Sequence, residues 1–402
     1  MQNTPKSLRI QLLFAGRVNS GKSSLVNLIC GQNAAITSPE RGTTTDVVEK
    51  AMELPPLGPV LLLDSAGTDD DSTIGQLRIE RTRQAIERAD VLFIVTTQGC
   101  WGKPEEELLQ SARTRKIPAI AIINKCDETP CEAEFYTQVQ QTIQAPVLTV
   151  SAADTGVDNR NCFLKALVPA LLDVLPEDAI NTPPLLRDLL PPEGHVVMMV
   201  PIDTQAPKGR LILPQVQAIR DALDGNAVCT IAKESAFPEL FDSFKKLPDL
   251  VICDSQVVKT MIAVTPPHIR CTTFSILMAR LKGDLPLLVA GARTISTLRD
   301  GDRILIAEAC THHAGCEDIG RVKIPALLQK KCGCSLKFDF CSGSDFPEDL
   351  AGYSLIVHCG GCMLNRRNML NRLLKASASG VPVVNYGVCI SECTGVLERC
   401  LI

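Results

Sequence analysis

Long apolar runs are missing from this 402-residue chain; none approaches the ~20 residues that a membrane span requires. Charge of one sign is missing too, with 41 Lys and Arg against 45 Asp and Glu and a formal net charge of -4. No overall field exists to gather nucleic acid or an anionic membrane surface. Aromatics are scarce, at 4% with one tryptophan, which argues against a basic, aromatic-studded face for nucleic acid. An export signal is not evident either. The polar stretch Met1 to Arg9 leads directly into a strand pattern, so a cytoplasmic location is expected.

What remains is an ordinary globular balance of 45% hydrophobic and 21% charged residues, enough for packed cores in two or three domains of ~150 residues. Cysteine is the exception. There are 18, eleven of them from Cys271 onward, in a chain expected to meet a reducing compartment where disulfides are rare. Most read as small buried hydrophobes, while a subset with suitable spacing reads as metal ligands.

The first third alternates strand and helix patterns. Strands are expected at Leu8 to Ala15, Gly58 to Asp64, Asp90 to Thr96, Ala119 to Asn124 and Val147 to Val150. Helices fall between them, notably Lys22 to Cys30, Ile74 to Glu87 and Glu105 to Lys116. Such alternation predicts a doubly wound, mostly parallel α/β sheet. After an apolar helix, Phe163 to Leu175, the five prolines of Pro176 to Pro192 mark a linker. The βα rhythm then resumes twice. His195-Val-Val-Met-Met, Lys208-Gly-Arg-Leu-Ile-Leu-Pro, Phe237-Pro-Glu and Leu250-Val-Ile-Cys-Asp are echoed about 110 residues later. The echo is Arg303-Ile-Leu-Ile-Ala, Ile319-Gly-Arg-Val-Lys-Ile-Pro, Phe346-Pro-Glu and Leu355-Ile-Val-His-Cys. The expected architecture is therefore three α/β domains, 1–175, 176–268 and 269–402, the last two read either as duplicated copies or as ordinary βαβ stretches alike by chance.

Gly16-Arg-Val-Asn-Ser20-Gly21-Lys22-Ser23-Ser24 matches the phosphate-binding loop and lies between a strand and a helix. Its backbone amides and helix N-terminus suit phosphates, Lys22 suits the β and γ phosphates, and Ser23 suits Mg2+. Asp64-Ser-Ala-Gly67 brings a carboxylate toward the metal and an amide toward the γ-phosphate. Asn124-Lys125-Cys126-Asp127 selects the base, because Asp127 can accept from the guanine N1–H and exocyclic amine. Ser151-Ala152 supplies a backbone amide for the guanine oxygen. Four such elements in order, each at a strand end, define a GTPase.

The finer pattern resembles the TrmE–Era branch of GTPases. Gly42-Thr-Thr44-Thr-Asp46 is similar to that branch's first switch, and the resemblance implies a Mg2+-sensing role for Thr44. Asn19 stands where K+-activated members carry a ligand for the cation. Thr68 follows Gly67 where other GTPases carry a glutamine, so a glutamine-positioned water is not expected.

Cys310-Thr-His312-His313 and His358-Cys359-Gly-Gly-Cys362 each follow an expected parallel strand, at the edge where open α/β sheets form binding crevices. Three thiolates with one of the histidines suit zinc, an iron–sulfur cluster or a redox dithiol, and spacing does not choose among them. Cys332, Cys334, Cys341, Cys389, Cys393 and Cys400 form no equally well-placed set.

Nearly the whole chain resembles the FeFe-hydrogenase maturation GTPases of the HydF family, including Ile304 to His313 and Glu317 to Pro325. The resemblance implies a 4Fe–4S cluster on Cys310, Cys359 and Cys362, with His312, His313 and His358 as candidates for the fourth position. It further implies a homodimer that receives a transient di-iron precursor from radical-SAM maturases and delivers it to apo FeFe-hydrogenase. Two rivals stand beside it: a regulatory GTPase of ribosome assembly or tRNA modification with a structural zinc domain, and a redox-sensing GTPase.

Overall fold

The computed structural model describes residues 4–31, 47–67, 73–180, 183–201, 211–309, 318–343 and 345–402, with backbone alone for 73–80, 178 and 180. Thr44, Cys310, His312 and His313 lie outside the described residues. The chain forms two compact units, residues 1–182 and 183–402, and the break falls inside the proline-rich segment.

The first unit holds one sheet of strands β1 (Ile10–Ala15), β2 (Val48–Leu54), β3 (Gly58–Asp64), β4 (Val91–Thr97), β5 (Ala119–Asn124) and β6 (Val147–Thr149). Their order is β2-β3-β1-β4-β5-β6, with β2 antiparallel to β3 and every other pair parallel. Alternate residues of β1 enter different cores, Ile10, Leu12 and Phe14 on one face and Leu13 and Ala15 on the other. That split is why the strand is apolar at nearly every position. Phe14 stacks on Phe93 of β4 at 4.7 Å, fixing the two central strands in register. Because β1 lies between β3 and β4, its carboxyl end is the topological switch point, where ligands of such sheets bind.

The second unit contains two four-stranded parallel sheets. One comprises β7 (His195–Met199), β8 (Val228–Ala232), β9 (Leu250–Cys253) and β10 (Arg270–Thr273) in the order β10-β9-β7-β8. The other comprises β11 (Arg303–Glu308), β12 (Lys337–Ser342), β13 (Leu355–His358) and β14 (Val383–Asn385) in the order β12-β11-β13-β14. Read by position in each copy, both orders are second, first, third, fourth, so the topology repeats. Registers agree as well: Cys253 ends β9 opposite Met199, and His358 ends β13 opposite Ala307. The fourth strand of each copy closes on a helix cap. Thr273 accepts from the Ile276 amide at 3.2 Å, and Asn385 from the Val388 amide at 2.8 Å.

The middle sheet runs to Thr273, beyond the expected boundary at 268, and the helix Phe274–Lys282 packs behind it. Val197, Met199 and Val251 of the first copy share one core with Ile304, Ile306, Leu355 and Val357 of the second. Among the described residues no helix is long and apolar enough to cross a membrane.

Candidate functional site

Past the end of β1 the chain turns sharply into the helix Lys22–Cys30. Two glycines make the turn. Gly16 has φ +153° and a Cβ there would sit 2.1 Å from the Val95 carbonyl oxygen; Gly21 has φ +87° and its Cβ would meet the Asn124 amide at 2.2 Å. Lys22 folds back across the loop, its buried ammonium donating to the carbonyls of Gly16 at 3.0 Å and Arg17 at 2.7 Å. Ser23 donates to Asp64 Oδ2 at 2.6 Å, so the two expected Mg2+ groups already touch. Burial pushes the Asp64 carboxyl up, against the Ser23 hydrogen bond and the charge of Lys22, which hold it down. A hydroxyl and a carboxylate suit a hard cation. Gly67 approaches the loop so closely that a Cβ would lie 2.3 Å from the Val18 side chain.

Asn124 is 2% exposed and joins three motifs. Its Nδ2 donates to the Ser20 carbonyl at 2.9 Å, and its Oδ1 accepts from the Ala152 amide at 3.0 Å. Phosphate loop, guanine motif and the Ser151-Ala152 turn are thereby held by one side chain. Lys125 follows at φ +62°, and Asp127 stands exposed, free of the sheet and open to a base. Arg17, Asn19, Ser20, Thr97 and Lys125 help to line a cavity of about 280 Å³ at this edge. Asn19 itself has φ +62°.

One residue of this site has no counterpart among the sequence motifs. Glu105, fully buried on the helix Lys103–Thr114, accepts from Arg17 Nε at 2.9 Å and Nη2 at 3.0 Å, and from the Gly102 amide at 3.0 Å. It braces the phosphate loop from the side. A glutamate three residues after Gly102, at a helix start, was the available signal.

At the other strand ends, Cys359 lies just past β13, its amide donating to Ala307 at 2.8 Å and its sulfur accepting from the Ala309 amide at 3.0 Å. Burial pushes its thiol up to about 11. His358 is 1% exposed and both ring nitrogens are engaged: Nδ1 meets the Cys359 carbonyl at 2.8 Å, and Nε2 meets Arg372 Nη1 at 3.0 Å. Burial, reinforced by Arg372, lowers its pKa to about 3, so the ring is neutral and Nε2 accepts from the guanidinium. In this arrangement neither nitrogen offers a lone pair to a metal. Among the described residues no three Cys, His, Asp or Glu side chains gather closely enough to hold a metal ion; the described thiols at this edge are Cys359, Cys362 and, near the end of β12 opposite Ala307, Cys341.

The loop carrying them is gripped from the first copy. Lys282, 3% exposed at the end of its helix, donates to the carbonyls of Gly361 at 3.2 Å, Cys362 at 3.1 Å and Leu364 at 2.8 Å. Burial lowers its pKa to about 8, against the pull of Cys362 and Cys359. No spacing argument pointed to it.

Three family models match the chain. The hydrogen maturase F dimerization domain covers residues 185–283 and the hydrogen maturase F tetramerization domain residues 286–402. A 50S ribosome-binding GTPase model covers residues 11–125. The tRNA modification GTPase MnmE of a Synechococcus strain is 35% identical over 163 residues, 40% of this chain and 34% of that protein. GTPase Der of Persephonella marina is 30% identical over 177 residues, 42% of this chain and 39% of that protein. The chain thus spans little more than a third of the length of these relatives. The solved G domain of the T. maritima FeoB iron transporter matches 41% of this chain and 98% of its own at 20% identity and a TM-score of 0.32.

Proposed function

Because this chain belongs to the hydrogen maturase F family and carries a GTPase domain, we propose that its GTP hydrolysis serves the assembly and delivery of a di-iron precursor to apo FeFe-hydrogenase. Cys310, Cys359 and Cys362 would hold a 4Fe–4S cluster, which would supply a docking and redox centre for the precursor. Supporting this is the placement of the Cys359–Cys362 loop past a parallel strand in the segment matched by the tetramerization model, clamped by Lys282 from the segment matched by the dimerization model. His358, hydrogen-bonded on both nitrogens, serves better as a wedge behind Cys359 than as a ligand. Radical-SAM maturases would be the donors. Self-association would use residues 185–283, with 286–402 extending it to a tetramer, in line with the names of the two models.

In the nucleotide site, Lys22 would neutralise the phosphates, Ser23 and Asp64 would hold Mg2+ together with Thr44, and Asp127 would read guanine. Asn19 would hold K+, supplying the charge that an arginine finger brings elsewhere.

Anaerobic purification with iron, sulfide and zinc analysis tests the cluster. About four irons per chain are expected from a 4Fe–4S centre, falling sharply in Cys359→Ser. Zinc in a colourless protein would instead favour the ribosome or tRNA reading. For the cation, GTP turnover should rise when Na+ is replaced by K+, and Asn19→Ala should lose that response. Equal rates in the two salts would defeat it.

A further inference from the structure

The helix Ile324–Cys332 ends on a thiol, and the next two residues are Gly333 and Cys334. Gly333 takes φ +70° and donates its amide to the Gln329 carbonyl at 2.9 Å, the left-handed close of a helix. This turn swings Cys334 back over the helix end, and the Cys334 thiol donates to the Cys332 sulfur across only 2.9 Å. A disulfide needs ~2.05 Å, so closing the bond asks for a sulfur shift of less than ~1 Å. With no side chain, and open space around the position where its Cβ would be, Gly333 can absorb the accompanying backbone adjustment. Both sulfurs are half-buried, and Lys331, Gly333 and Ser335 around them are exposed, so a small reagent can reach the pair.

The pair is separate from the metal-binding edge. Cys334 precedes β12, whose first residue pairs with Arg303 at the start of β11, while Cys359 follows β13 beyond Ala307. The two thiol groups therefore sit at opposite ends of parallel strands, and six residues of β11 span ~20 Å.

We propose that Cys332 and Cys334 form a thiol–disulfide couple that exchanges with low-molecular-weight disulfides of the glutathione class. The Cys332 thiolate attacks one sulfur of the small disulfide, forming a mixed disulfide and expelling one thiolate. Cys334 then attacks the Cys332 sulfur, closes the intrachain bond and expels the second. Two electrons pass to the small disulfide, and the two thiol protons finish on the two released small thiols. The hydrogen bond to Cys332, together with burial and the carboxylates of Asp300 and Asp302, holds Cys334 up at about 11. Cys332 is thus the attacking sulfur and Cys334 the resolving one.

The reduced full-length protein, equilibrated anaerobically in graded ratios of oxidised to reduced glutathione, is acid-quenched, alkylated and cut with trypsin. Cleavage after Lys331 and Lys337 releases residues 332–337 with both thiols on one peptide. As the ratio rises, this peptide should lose both alkyl groups and appear lighter by two hydrogens than its reduced form, while the peptide carrying Cys341 is still alkylated. Cys334→Ser should instead trap a glutathione adduct on Cys332. A peptide doubly alkylated at every ratio, or Cys332 bridged to a cysteine other than Cys334, would overturn the assignment.

Discussion

Asn124 uses both ends of its amide inside the protein, on the Ser20 carbonyl and the Ala152 amide, and leaves recognition of the base to Asp127. The two residues should therefore fail differently. Asn124→Ala strands a buried acceptor and a buried donor, each worth ~1–3 kcal/mol when left unpaired. GTP affinity should fall by about 10- to 100-fold, and the melting temperature of the first unit should fall with it. Asp127→Ala should weaken GTP binding while leaving the melting temperature of the nucleotide-free protein unchanged. Titration calorimetry beside thermal unfolding separates the two. Equal melting losses in both variants would show that Asn124 has no special part in joining the loops.

At the scale of elements, the helix Phe274–Lys282 connects the two copies, since Leu281 lies in the core behind the first sheet and Ala279 in the one behind the second. Its last residue then holds the Cys359–Cys362 loop through three carbonyls. Lys282→Met preserves the stem and removes the donors, so urea unfolding of the second unit should shift by about 1–3 kcal/mol. Alkylation of Cys362 should also quicken as the loop loosens. An unchanged alkylation rate would argue against the clamp. This contact shows why some of the molecule was legible in advance and some was not. Gly16, Gly21 and Lys22 announce themselves because the demands of a phosphate loop are local in sequence. Lys282 meets acceptors 79 to 82 residues away, and although the capping glutamate Glu105 could be read from its local spacing to Gly102, its hold on Arg17 across 88 residues could not. Strand β2 escaped notice for a different reason. Val48–Leu54 is a partly exposed edge strand carrying Glu49, Lys50 and Glu53, and lacks the apolar signature of its buried neighbours. The duplication was visible as an echo of short motifs, and the matching strand orders give it a physical form.

Over the whole molecule the thiols dominate the response to alkaline pH. Burial raises Cys341 to about 11 and Cys400 to about 12, and it raises Cys253 and Cys271 as well. For such groups the unfolded chain loses its proton first, near the ordinary thiol value of ~8.5. Between that value and the folded one the native state binds more protons, and stability falls as pH rises. Lys282 works the other way. Its folded value near 8 lies below the ordinary ammonium value, so between the two stability rises with pH. The single lysine is outnumbered. The urea midpoint of the metal-free, reduced protein should drop from pH 8 to pH 10, and more steeply in Lys282→Met. A midpoint that climbs over this range would mean the thiols are less buried than the packing implies.

The core that the two sheets of the second unit hold in common has a mechanical consequence. Val197 and Val251 on one side and Ile306 and Val357 on the other are neighbours in one apolar mass, so separating the sheets would wet both linings at once. Each Å² of apolar surface exposed costs ~25 cal/mol, so opening so continuous a core is strongly disfavoured. On the proposed function, a precursor held by this unit would therefore not leave through a hinged jaw but be handed over at the rim, by loops that move while the two sheets behind them stay closed like the boards of a bound book.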